Sequence, residues 1–204
     1  MYKFKVIVAG DKNVGKSSLI TRFCDNVFYE DLKETIGVGF KRKKVVIKED
    51  STEIALELNI WDFAGEEKYR KLFPAYAYGA SAALFLFDIT NIKSLYDIDN
   101  WIKVVEENAS NDVVKINIAT KIDLKDEREV SKEEAIEFFE KYTPGKKIIE
   151  TSSKTGENVE KAFIYVAKEL IDKSLQKCKA CGVFFSKKLN YCQYCGERIE
   201  SERI

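Results

Sequence analysis

The sequence predicts an α/β protein: a mostly parallel six-stranded sheet with helices on both faces, followed by a small C-terminal unit built on four cysteines. Three observations carry this. Short apolar runs alternate with helical patterns through residues 1–175, the pattern of βα units. The first apolar run ends at Ala9 and leads directly into Gly10-Asp11-Lys12-Asn13-Val14-Gly15-Lys16-Ser17, with a helical pattern following at Ser18–Phe23. Strand, glycine-rich loop and helix in that order make a phosphate loop and place the fold in the P-loop NTPase class. The last stretch carries Cys178, Cys181, Cys192 and Cys195 as C-x2-C-x10-C-x2-C, which is a metal-ligand spacing.

The elements follow in order. Lys3–Ala9 reads as a strand and Gly15–Cys24 as a helix entered through the loop glycine. Val38–Lys48 and Ile54–Trp61 read as a strand pair joined by the polar turn Glu49-Asp50-Ser51-Thr52, which supplies one antiparallel edge. Ala82–Asp88 is apolar almost throughout, as a strand covered on both faces must be. Ser94–Asn108 is predicted helical, Val113–Ala119 a strand, Lys132–Tyr142 a helix, Lys147–Thr151 a strand and Asn158–Leu175 a long helix. This divides the chain into residues 1–175 and a zinc ribbon at 176–204. No Gly/Pro-rich linker separates them, so the ribbon is expected to sit close to the larger domain. The basic run Lys41-Arg42-Lys43-Lys44 falls on the edge strand. Charge there blocks edge-to-edge aggregation, and a partner-binding patch is the other reading.

Bulk properties exclude several classes. Lys+Arg 34 balances Asp+Glu 34, so no global charge calls for nucleic acid or anionic lipid. Hydrophobic content of 45% is ordinary for a folded protein, and no apolar run approaches a membrane span. The N-terminus enters a strand at once, and the C-terminus reads Glu202-Arg203-Ile204. The expectation is a cytoplasmic protein without signal peptide or lipid anchor. Histidine is absent, which excludes Ser-His or Cys-His catalysis and any His-ligated metal.

The phosphate loop predicts a nucleoside triphosphate, held by Asn13, Val14, Gly15, Lys16, Ser17 and Ser18. Glycines let backbone N–H groups close around phosphates, and the helix adds its positive end. Lys16 reaches the β- and γ-phosphates, and Ser17 offers its hydroxyl to Mg²⁺. Asp62, after an apolar strand and three residues before Gly65, suits a carboxylate that meets Mg²⁺ through water. Gly65 would offer its N–H to the γ-phosphate, and Thr35 can complete the Mg²⁺ shell while that phosphate is present. Thr120-Lys121-Ile122-Asp123 follows a strand. The Asp123 carboxylate can accept from N1–H and the 2-amino group of guanine, and adenine lacks both donors. The stem of Lys121 can cover the base, Ser153 and Lys154 can present backbone N–H to guanine O6, and Phe28 can lie against the base edge. The four clustered thiols read as a Zn²⁺ site, with rubredoxin-like iron or a redox pair as alternatives. Cys24 reads as a small buried apolar residue.

Together, in this order and spacing, these motifs resemble the Ras superfamily of small GTPases and within it the Rab branch. The resemblance covers about residues 1–175, through Thr35-Ile36-Gly37-Val38, Trp61-Asp62, the run Ala80 to Thr90 and Glu150 to Val159. It implies a GTP/GDP switch with Mg²⁺, two mobile segments (about Phe28–Phe40 and Phe63–Tyr78), and effectors, an exchange factor and a GTPase activator as partners. The catalytic set carried over is Lys16, Thr35 and Glu66. Glu66 departs from the family's usual Gln, which donates to the forming oxyanion; an ionised Glu cannot, so slow hydrolysis is expected. Lys12 and Asn13 replace small loop residues. Lys12 either blocks an incoming arginine finger, supplies charge in cis, or is simply solvated. Thr120 replaces the usual Asn, as in Rho-like members, and Phe63 replaces a usual Thr with no role read from the sequence. The lipidated cysteine tail of Rab-like proteins gives way to the ribbon, and the basic residues of the segment from Lys173 to Ile204 leave only about +2 once a Zn²⁺ with four thiolates is counted. Within it, Val183-Phe184-Phe185 either fills a small core or docks on the larger domain. Two further readings stand beside the switch: a hydrolysis-poor GTP-bound scaffold, and a zinc-ribbon adaptor gated by nucleotide.

Overall fold

A computed structural model describes residues 1–32, 35–49, 52–65, 72–110 and 112–198. The strands are β1 Tyr2–Ala9, β2 Val38–Glu49, β3 Thr52–Phe63, β4 Ala82–Asp88, β5 Val114–Thr120, β6 Ile148–Glu150, β7 Leu175–Lys177 and β8 Phe184–Ser186. The helices are α1 Lys16–Asp25, α2 Phe73–Ala77, α3 Ile92–Tyr96, α4 Ile98–Asn108, α5 Lys132–Glu140 and α6 Val159–Ser174. Six strands form one sheet in the order β2-β3-β1-β4-β5-β6, and only the β2–β3 pair is antiparallel. This is the predicted architecture, with the charged hairpin strand β2 at one edge.

The apolar alternation explains the layering. Even-numbered residues of β1, such as Val6 and Val8, join Leu58, Leu84, Phe163 and Leu170 beneath α1 and α6. Odd-numbered residues, such as Ile7, join Phe85, Phe87, Phe73 and Ile102 beneath α2, α4 and α5. Every residue of β4 is buried, because helices cover both of its faces. Phe23 of α1 stacks on Phe163 of α6 with centroids 3.8 Å apart, which locks the phosphate-loop helix to the last helix. Truncating the fully buried Phe163 to Ala would cost about 3–5 kcal/mol.

Some boundaries differ from those expected. The single helix predicted at Ser94–Asn108 is two, α3 and α4, meeting at Asp97. The first begins earlier because the Asn91 side chain accepts from Lys93 N–H at 3.1 Å and caps it. The β2–β3 ladder extends to Glu49↔Thr52, taking in two residues assigned to the turn. α5 stops at Glu140, and β6 keeps three of the five residues predicted for its strand.

The ribbon is seated on the larger domain. Leu175, first residue of β7, lies inside the core under α6, and Phe184 packs against that same core. The Tyr2 hydroxyl donates to the Phe184 carbonyl. Its neighbour Phe185 points the other way and is fully buried with Cys178 and Cys192. The two readings of Phe184-Phe185 are therefore both realised, because successive strand residues face opposite sides.

Candidate functional site

A cleft of about 470 Å³ opens at the carboxyl ends of the parallel strands. In open α/β sheets ligands bind there. Loops after β1, β3, β5 and β6 line it. Asn13, Gly15, Lys16, Ser17, Ser18, Phe28, Thr35, Gly65, Thr120, Lys121, Asp123, Ser153 and Lys154 all border this one space. Val14 does not. It is 1% exposed, and its carbonyl accepts from Thr120 Oγ1 at 2.7 Å, so it braces the phosphate loop against the β5 loop from behind. Glu66 lies outside the described residues.

At one end of the cleft the backbone is coiled tightly. Asn13 and Gly15 hold left-handed φ of 63° and 92°, which turns successive N–H groups inward. Lys16 is buried, and its ammonium donates to the carbonyls of Gly10 at 2.8 Å and Asp11 at 2.5 Å. These bonds hold the charge across the loop mouth. Gly65 closes against the same loop: a Cβ there would lie 2.3 Å from the Asp11 carbonyl carbon and the Lys12 nitrogen. Only glycine permits that approach.

Below the loop three oxygens converge. Ser17 Oγ donates to Asp62 Oδ2 at 2.5 Å, and Thr35 Oγ1 lies 2.7 Å from Ser17 Oγ and 3.3 Å from the same carboxylate oxygen. Asp62 is 8% exposed, and its Oδ1 is buried with no hydrogen-bond partner. Burial raises the Asp62 carboxyl above its ordinary range, although the Ser17 bond and the Lys16 charge oppose this. A desolvated carboxylate with a vacant oxygen beside two hydroxyls is a donor set for a hard divalent cation, and Mg²⁺ fits it.

At the other end the side chains are held by partners the sequence reading did not single out. Lys121, itself left-handed at φ 61°, pairs its ammonium with Asp88 Oδ2 at 2.6 Å. Asp88 Oδ1 accepts from Thr90 N–H and Oγ1 at 2.9 and 2.8 Å. Ser152 donates to Asp123 Oδ1 at 2.6 Å and so sets that carboxylate's orientation. Arg22 of α1 donates to the carbonyls of Ser153 at 2.7 Å, Lys154 at 2.8 Å and Asn26 at 3.1 Å. Thr120 Oγ1 shares its single proton between the Val14 carbonyl and the Phe87 carbonyl at 2.9 Å, where an Asn amide would have two donors. Asp88 had a legible signal, a lone carboxylate ending a buried strand; Arg22 had none. Phe63 also borders the cleft, and its ring meets Phe73 edge-on at 4.6 Å and Tyr76 at 5.3 Å, tying the loop after β3 to α2.

The second cluster is in the ribbon. The four thiol sulfurs of Cys178, Cys181, Cys192 and Cys195 lie within 4.8 Å of one another, with Cys178–Cys195 at 3.6 Å and Cys181–Cys192 at 3.7 Å. A tetrahedral site with Zn–S bonds of about 2.3 Å has sulfur–sulfur edges of about 3.8 Å, close to the two short edges here, so the set suits a zinc ion. The two halves repeat one turn: Gly182 N–H donates to the Cys178 carbonyl and Gly196 N–H to the Cys192 carbonyl, each at 2.9 Å, with both glycines left-handed. Hydrogen bonds from backbone N–H, that of Cys181 first, bring the Cys178 thiol down to about 7.

Comparison with known proteins accords with this geometry. The sequence profile of the Ras family matches residues 5–172. The chain is 40% identical to the Ras-related protein Rab-8B of Homo sapiens over 176 residues, which cover 86% of this chain and 82% of that one. It is 44% identical to the Ras-related protein Rab-1 of Theileria parva over 176 residues, covering 86% and 77%. It is 40% identical to the Ras-related protein Rab-8A of Mus musculus over 178 residues, covering 86% and 83%. Kinship of this extent, over a cleft with these side chains in place, is common descent as well as common shape: the chain belongs to the Ras family, among its Rab-like small GTPases.

Proposed function

We propose that this protein is a GTP/GDP switch that hydrolyses GTP with Mg²⁺ and controls partner binding in trafficking-type regulation. One observation supports it above the others: a single cleft brings the phosphate loop together with the Thr120–Asp123 and Ser153-Lys154 loops. Lys16 and the loop N–H groups hold the phosphates. Ser17 and Thr35 would ligate Mg²⁺ directly and Asp62 through water. When bound, the metal neutralises charge developing between the β- and γ-phosphate oxygens. Asp123, oriented by Ser152, accepts from guanine N1–H and the 2-amino group. Phe28 and the Lys121 stem flank the base, and the backbone N–H groups of Ser153 and Lys154 face O6. Thr35 and Gly65 sense the γ-phosphate, so the segments around them are the moving parts. Effectors, an exchange factor and a GTPase activator are the partners expected of such a switch.

Nucleotide competition tests the reading. The native chain should prefer GTP over ATP by about 10⁴-fold or more, and Asp123→Asn should shift preference toward xanthosine triphosphate, whose 2-oxo group accepts. Equal affinity for ATP and GTP overturns it. Hydrolysis is slow in this proposal because Glu66, when ionised, cannot donate to the transition state. Glu66→Gln should raise the single-turnover rate roughly tenfold, below the ~10²-fold typical of an oxyanion donor, since water positioning is only part of the barrier. A slower variant would make the carboxylate the productive group.

Residues 1–175 form the GTPase domain and 176–204 a zinc ribbon in this reading. Cys178, Cys181, Cys192 and Cys195 would hold one Zn²⁺, whose role is structural. Elemental analysis decides: one zinc per chain supports the site, and iron or no metal overturns it.

A further inference from the structure

We propose that Trp101 is a positioning residue of the nucleotide site: its indole holds Asp11, and with it the phosphate loop, in the arrangement that receives a triphosphate. The indole Nε1–H of Trp101 donates to Asp11 Oδ1 at 3.1 Å, across 90 residues of chain. Trp101 stands on α4 and is buried. Asp11 belongs to the phosphate loop, and its backbone is engaged as well as its carboxylate. Its carbonyl accepts from the Lys16 ammonium at 2.5 Å, and the Asp11–Lys12 peptide is the surface against which Gly65 closes. The carboxylate therefore anchors a peptide that meets Lys16 on one side and the loop after β3 on the other.

Burial of the indole does not by itself account for this bond. A buried tryptophan N–H needs an acceptor, and any carbonyl would serve. A carboxylate in an anion-binding loop opposes binding, because it repels the phosphates that the loop's N–H groups attract. The repulsion is small only if the carboxylate is drawn away from them. Lys12 and Asn13 border the cleft, and Asp11 between them and Gly10 does not. The indole takes the carboxylate out on the side of α4, and the same bond fixes the Asp11 carbonyl where Lys16 meets it.

An aromatic stack links this bond to the loop after β3. The Trp101 ring meets Phe73, first residue of α2, edge-on at 5.1 Å, and Phe73 meets Phe63 edge-on at 4.6 Å. All three rings are buried. Edge-to-face pairs at such distances are directional, and close-packed rings pass a displacement to one another. Phe63 ends β3, just before Ala64 and Gly65, and is the ring that departs from the family's usual Thr. The loop after β3 thus reaches Asp11 by two routes: Gly65 meets its peptide, and Phe63 meets its carboxylate through Phe73 and Trp101. The inference rests on the proposed GTP/GDP reading, in which Gly65 senses the γ-phosphate. A diphosphate is held by Lys16 and the loop N–H groups without that closure, so loosening Asp11 should tell on GTP far more than on GDP.

Titration of the full chain with GDP and with the non-hydrolysable β,γ-imido analogue of GTP tests it. Trp101→Phe keeps a ring in the stack and removes the N–H. It should weaken the triphosphate analogue about tenfold, as for loss of a hydrogen bond to a charged group, and GDP by less than about twofold. Asp11→Ala should do the same, whereas Asp11→Asn, whose amide oxygen still accepts, should keep most of the affinity. Trp101→Phe with Asp11→Ala should lose no more than either alone, because both remove one bond. Tyr142→Phe removes the 2.6 Å bond from Tyr142 to Asp99 on the same helix and should leave both affinities unchanged. The Asp11 variants carry the test if Trp101→Phe fails to fold. In Trp61→Phe, Trp101 is the one tryptophan left of two. Its emission should differ between the two nucleotide states, and adding Phe63→Leu should abolish the difference. Equal losses of both nucleotides, additive losses in the double variant, or identical emission in both states overturns the proposal. A native chain that binds no guanine nucleotide overturns the GTP/GDP reading with it; native binding with indifferent variants overturns the proposal alone.

Discussion

Arg22, in the last turn of α1, donates to carbonyls of the base loop, at Ser153 and Lys154. In a trans peptide the C=O and N–H point opposite ways, so drawing the Ser153 carbonyl toward Arg22 turns the Lys154 N–H toward the cleft, while the Thr155 N–H donates to Ser152 Oγ. Arg22→Met should accelerate guanine nucleotide release roughly tenfold, as expected for losing charged hydrogen bonds of about 1.5–3 kcal/mol that water partly replaces. A triphosphate of 2-aminopurine riboside lacks O6. If Arg22 acts through that contact, the variant should lose affinity for GTP and little for this analogue; equal losses would make Arg22 a general brace. Gly65 yields a second test. Its Cα side is 2.3 Å from the phosphate-loop backbone as measured from an added Cβ, and backbone cannot yield as a flexible side chain can. Gly65→Ala should keep GDP yet lose the GTP-dependent change in hydrogen exchange across residues 28–40. An unchanged difference would show that this contact is not part of switching.

Among the elements, β6 is the weakest by its own means and is held by its neighbours. It has three residues, none fully buried, at the sheet edge opposite β2. Glu150, its last residue, pairs with Arg128 at 2.8 Å and Lys132 at 2.9 Å, while its carbonyl accepts from Asn158 at 2.9 Å. Partial burial would raise the Glu150 carboxyl, but bonds from Lys132 and Arg128 outweigh it and hold the carboxyl below its usual range. A lowered folded value means that the unfolded chain binds the proton more readily, so this stability is present above the unfolded pKa of about 4.3 and lost as pH falls through the folded value. Glu150→Gln should therefore cost about 1 kcal/mol at neutral pH, limited by solvent screening, and nothing in strong acid. Urea melts of both proteins across that range check it. A cost that persists below the carboxylate range would assign the effect to shape and not to charge. Since β6 leads into Thr151-Ser152-Ser153, loosening it should also loosen the base loop.

At the scale of the molecule, the ribbon and the sheet share contacts that make them one mechanical unit. Leu175 and Phe184 belong to the core under α6, Tyr2 reaches the Phe184 carbonyl, and Lys187 N–H donates to the Ser174 carbonyl at 2.9 Å. In the zinc-ribbon reading, a segment with Phe185 and two cysteines as its own core is expected to fold only with metal bound. Cys192→Ser, or a strong chelator, should unfold residues 178–196 and release Phe184 from the core. The larger domain should keep its nucleotide, because every residue lining the cleft precedes Thr155. It should melt about 2–4 °C lower for each kcal/mol lost with the Phe184 contact. Calorimetry with and without chelator measures this. An unshifted transition would mean that the ribbon is an independent appendage.

How much of this was legible in the sequence depended on how local the cause was. The phosphate loop, the strand that feeds it and the cysteine pairs are contiguous, so spacing sufficed: Gly10 to Ser17 and Cys178 to Cys195 can be read without knowing what packs on them. Alternation in β1 and the near-continuous apolar run of β4 likewise expressed the layering, because burial on one face or two leaves a period in the chain. The hinge at Asp97 was missed because both halves keep a helical apolar pattern, and the Asn91 cap that starts the first half competes with it only locally. Arg22 with Ser153, Lys121 with Asp88, and Asp11 with Trp101 are separated by tens to over a hundred residues, and no periodicity records such a pairing. Sequence by itself determined which residue types, at which spacing, are proposed to hold phosphate, guanine and zinc. Tertiary structure alone decided which side chains orient them, because register and crossover bring together residues whose separation along the chain carries no information about their distance in space.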